Sequence, residues 1–63
     1  MNFEQAVSKA LMFAKRSGYP FVRLVDAEKR PDNSWVVRVD VGAYMKEIKI
    51  IVINPSGVVV GFR

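Results

Sequence analysis

Two hydrophobic periods divide this chain. Phe3, Ala6, Val7, Ala10, Leu11 and Ala14 recur at helical spacing, and from Phe21 onward the apolar residues alternate. A segment with the first period scatters its apolar groups when drawn out as a strand, and one with the second scatters them when coiled into a helix. The chain is therefore constrained to one helix followed by strands. Local signals agree. Asn2 is a good N-cap and Gln5 stands three residues later, as a capping box requires. Glu4 lies near the positive start of the helix, and Lys15 and Arg16 lie near its negative end. Gly18 suits the left-handed residue beyond the last turn, and Pro20 blocks resumption. Three alanines on the stripe predict close approach to a sheet, with Phe3 and Leu11 as the larger anchors.

The alternation predicts a first strand over Phe21–Lys29, a turn at Arg30–Ser34 and a second strand over Trp35–Val41. Trp35, Val37, Val39 and Val41 share one face, which predicts a buried tryptophan, while Arg38 and Asp40 share the other. A five-residue turn sets Val25 and Ala27 opposite Val39 and Val37. Gly42–Met45 connects to a third strand over Lys46–Ile53, and Asn54–Gly57 turns into a fourth over Val58–Phe62. The fold class is α+β: one N-terminal helix packed on a four-stranded antiparallel sheet of two hairpins, in a single domain over residues 1–63. A chain this short buries only about 60% of the surface its unfolded form exposes, so its core has to be efficient.

The chain has no cysteine and no histidine. Disulfides, a thiol nucleophile, an imidazole base and the usual zinc sites are excluded. Gly18, Gly42, Gly57 and Gly61 are scattered, so no phosphate-cradling loop precedes a helix. Asp26, Glu28 and Asp40 fall on one face of the first hairpin, where a cross-strand ion pair with Arg38 is the expected use of charge. The expectation is a protein without catalytic residues, metal or cofactor. No apolar run reaches the roughly 18 residues of a membrane span. The start, Met1–Gln5, has no basic n-region, so a signal peptide is not expected. A cytoplasmic protein with no membrane partner is the expectation.

The last hairpin carries apolar residues on both faces. A four-residue turn pairs Ile53 with Val58 and Ile51 with Val60, and their face continues to Phe62, while Ile48, Ile50 and Val52 lie opposite. One helix covers one face. Ile51, Ile53, Val58, Val60 and Phe62 are therefore the expected partner-binding residues, serving a homodimer or another protein. The alternative is nucleic acid. Ten basic residues against six acidic ones give a net charge of +4. Bases stand beside aromatics at Lys15, Arg16 and Tyr19 and at Tyr44, Lys46 and Lys49, with Lys29 and Arg30 at the first turn. Along the sequence these bases are dispersed, with acids between them.

Ala6 to Gly18, the run Trp35–Val41, and Ile53–Gly57 leading to Phe62 and Arg63 span most of the chain. The order of helix and two hairpins is similar to PepSY-like and other cystatin-like domains. The alanine-containing helix, the tryptophan opening a valine-rich strand and the terminal arginine resemble the gas vesicle protein O family. The resemblance implies this fold and a general protein-binding role, and it carries over no site residue.

Overall fold

The computed structural model describes residues 1–63 as α1 (Phe3–Arg16), β1 (Arg23–Lys29), β2 (Trp35–Asp40), β3 (Ile48–Ile53) and β4 (Val59–Phe62). The four strands form one antiparallel sheet in the order β1-β2-β3-β4, a meander in which every neighbour in sequence is a neighbour in space. No helix is long and apolar enough to cross a membrane.

The helix is closed at both ends as its sequence dictates. Asn2 Oδ1 accepts from the Gln5 amide at 2.8 Å and Gln5 Oε1 from the Asn2 amide at 3.0 Å. At the other end the Tyr19 amide donates to the Ala14 carbonyl and the Gly18 amide to that of Lys15, with Gly18 at φ +105°. This is a Schellman closure. Ala6, Ala10 and Ala14 are fully buried and let α1 sit close on the sheet. Phe3 is not a deep anchor. It stays half exposed at the rim and meets Trp35 edge to face at 6.2 Å. Phe13, off the expected stripe, packs against Phe62 at 5.3 Å.

The core joins the alanines to Trp35, Val37, Val39, Val41, Ile51 and Ile53. Trp35 pairs with Ile53 and Val37 with Ile51, so all four point toward the helix. Two expectations of register are corrected. In the last hairpin Asn54, not Ile53, closes on Val58: the Asn54 amide donates to Val58 and the Gly57 amide to Asn54, both at 2.9 Å. Gly57, at φ +87°, is an extra left-handed residue that shifts pairing by one. Ile53 then faces Val59, Val60 bulges out, and Ile51 faces Phe62. A shift of one residue exchanges the two faces of a strand. In the first hairpin Ala27 faces Val37 as expected, but Leu24 takes the place opposite Val39 and Val25 is the bulged, exposed residue.

Candidate functional site

The pairing of β3 with β2 decides the outer face. Ile51 and Ile53, expected to meet a partner, are 0% exposed beneath α1, and Phe62 is part-buried among Phe13 and Tyr19. Those three side chains are core. Val58 and Val60 remain open, at 57% and 61% exposure. The face away from the helix instead carries Ile48, Ile50 and Val52 from β3, paired to Asp40, Arg38 and Val36 of β2. Its β1–β2 half is charged. Arg38 reaches Asp26 at 2.8 Å, the cross-strand pair that strand alternation predicts, and Arg23 reaches Asp40 at 3.4 Å. Its β3–β4 half is apolar.

Topology gathers what sequence disperses. The hairpin turns and the start of α1 lie at one pole. At the opposite pole the end of α1, the start of β1, the loop 41–47, the start of β3 and the end of β4 converge. Register places Arg23 by Asp40 and Asp40 by Ile48, and Tyr19 lies 6.1 Å from Phe62. That pole holds six bases, Lys15, Arg16, Arg23, Lys46, Lys49 and Arg63, against two acids, Asp40 and Glu47. The remaining four bases and four acids cancel. The chain's whole net charge of +4 thus sits at one end. Lys29 and Arg30 lie at the other, beside Glu28 and Asp32, and do not join it.

The loop at this pole is built. One oxygen of Asp40 accepts from the amides of Gly42 at 2.9 Å and Glu47 at 3.1 Å, while Arg23 holds the second. The Gly42 and Glu47 amides, with Arg23 behind them, keep the Asp40 carboxyl below the usual carboxylate range. Arg23 also donates to the Gly42 carbonyl at 2.9 Å. Gly42 is required: a Cβ there would lie 1.6 Å from the Met45 carbonyl oxygen. So clamped, the loop projects Tyr44 fully into solvent with Met45 beside it. Glu47 is engaged by Lys49 at 3.5 Å, so both acids of the pole are already paired. Tyr19, in contrast, lies against Phe62 and the core. The order of the strands, which alternation leaves open, was the missing signal for this convergence.

No family model, characterised protein or solved structure matches the chain.

Proposed function

We propose that this chain is a small non-enzymatic binding module whose ligand is an anionic polymer, single-stranded nucleic acid, held at the basic pole. One observation carries the reading: the whole net charge lies around a fully exposed tyrosine on a clamped loop. Lys46, Lys15, Arg16 and Arg63 contact phosphates, and Tyr44 offers its ring to a base. The ligand's own charge makes binding salt dependent, because each neutralised phosphate releases counterions. A cytoplasmic setting accords with this ligand and with a chain free of cysteine.

A second reading is self-association, or docking to another protein, through the outer face. Ile48 and Val60 are exposed there, with Ile50 and Val52 half-buried between them. The PepSY-like resemblance adds only a general protein-binding role. The register weakens this reading relative to the first, since Ile51, Ile53 and Phe62 are spent on the core.

Mass in solution with and without a mixed-sequence oligonucleotide separates the two. The first reading expects a monomer that gains one oligonucleotide, with log affinity falling against log salt at a slope near −3 for about four phosphates. Tyr44→Ala weakens that complex about tenfold. A salt-independent affinity, or no complex at low salt, removes the nucleic-acid reading. A dimer mass without nucleic acid favours the second.

A further inference from the structure

The two edges of the sheet are unequal. Four of the seven residues of β1 are charged, Arg23, Asp26, Glu28 and Lys29, which is a usual protection against pairing with another chain. The four residues of β4, Val59–Phe62, include no charge. The free side of β4 presents unpaired backbone groups. Ile50 and Arg63 exchange both their hydrogen bonds, at 2.7 and 3.0 Å. The residue between such pairs, Phe62, then directs its N–H and C=O away from β3.

Beside this edge runs a groove of about 540 Å³, lined by Lys9, Met12, Phe13 and Arg16 of α1 and by Val58 and Val59. The helix and β4 run in the same direction, with Lys9 donating to the Gly57 carbonyl at the start of the groove and Phe13 meeting Phe62 further along. Lys9 and Arg16 are separated by about 10 Å of helix, close to the length of a four-residue strand. Neither forms an ion pair, since the three pairs of the molecule are Arg23–Asp40, Arg38–Asp26 and Lys49–Glu47. No acid lines the groove.

We propose that the free edge of β4 takes an extended acidic segment of another protein as a fifth strand, with Lys9 and Arg16 pairing its carboxylates. Backbone bonds hold such a strand. Of the side chains on its helix-facing side, a central apolar one enters the floor between Met12, Phe13, Val58 and Val59, and the carboxylates two residues to either side reach Lys9 and Arg16. Charge selects this occupant over a second copy. Two-fold pairing of β4 with itself sets the Lys9 and Arg16 of both copies along one seam, with no acid to relieve them. The bulge at Val60 limits the added strand to a short stretch.

The test uses a fluorescent peptide with glutamate, valine and glutamate at every second position and threonine between them, so that the three share one face of the strand. Its anisotropy reports binding, and amide hydrogen exchange of the protein reports where. Binding with slowed exchange at Phe62 is expected, together with loss of binding when alternate peptide amides are N-methylated, a change that leaves the protein untouched. Lys9→Glu weakens the complex about tenfold, while oligonucleotide binding at the basic pole is unaffected by it. Equal binding of the N-methylated peptide overturns the proposal. So does a peptide that is indifferent to Lys9→Glu but lost in Tyr44→Ala, since that peptide occupies the basic pole as a mimic of nucleic acid.

Discussion

The two hairpins share one backbone device and put it to different ends. Each turn has proline in its second place and a left-handed residue in its fourth, Asn33 at φ +71° and Gly57 at φ +87°. Arg30 and Ser34 close the first as Asn54 and Val58 close the second. Each outer strand then bulges at an exposed valine, Val25 in β1 and Val60 in β4. The backbone is close to a repeat, yet one edge is guarded by charge and the other is bare. Geometry sets where an edge lies; composition sets whether it is available.

The largest effect separates the inward from the outward residues of the last hairpin. Ile51 is packed on all sides, and truncating such a side chain leaves a cavity, so Ile51→Ala costs about 3 kcal/mol. Val60→Ala changes stability by less than about 0.5 kcal/mol, because the bulge already leaves its side chain in water. Urea unfolding of both variants checks this. Similar midpoints for the two return Ile51 to the surface and undo its inward pairing with Val37.

A smaller effect tests whether the two turns are equivalent. Gly57→Ala forces a Cβ into the left-handed region and sets it 3.3 Å from the Met1 methyl group and 3.4 Å from Lys9 Nζ. The expected cost is about 1 kcal/mol. Asn33 already accepts the left-handed region through its short polar side chain, so Asn33→Gly shifts stability by no more than about 0.5 kcal/mol. Thermal melts of the pair read the difference. A harmless Gly57→Ala breaks the equivalence of the turns.

The same turns explain how far the fold is legible in the sequence. Capping at Asn2 and Gln5, the helix stop at Gly18, the burial of Trp35 and the Arg38–Asp26 pair all follow from local chemistry, and all are present. What failed was counting across a turn. Asn-Pro-Ser-Gly can close between Ile53 and Val58, or between Asn54 and Val58 with glycine as the extra left-handed residue, and both obey the same propensities. The second places Val59 instead of Val58 beside Ile53. That Ile51 and Ile53 lie in the core follows from the pairing of β3 with β2 across the 41–47 connection, a register that alternation alone does not set. The basic pole was hidden for another reason. Lys15, Arg23, Lys46 and Arg63 are brought together only by the meander, and strand order is a tertiary choice that no local period encodes.

The smallest effect is a difference in how acid reaches the two turns. In the first, Asp32 Oδ1 accepts from the Ser34 hydroxyl at 2.6 Å and from the Ser34 amide at 2.9 Å. These bonds, the hydroxyl first, hold the Asp32 carboxyl below its usual range. In the second, Asn54 Oδ1 accepts from the Val58 amide at 2.9 Å, and an amide side chain does not titrate. A carboxyl depressed by folding contributes stability above its unfolded pKa, and that contribution is lost as pH falls through the folded value. Acid therefore loosens the first turn and leaves the second closed. Hydrogen-exchange protection, corrected for intrinsic rates, should fall at the Ser34 amide with acidification while holding at Val58. Asp32→Asn removes the titrating group, so in that variant the Ser34 amide should hold its protection on acidification as Val58 does. Parallel loss in the wild-type chain would mean that the turns are coupled through the sheet, and that their shared geometry matters more than the one carboxylate that distinguishes them.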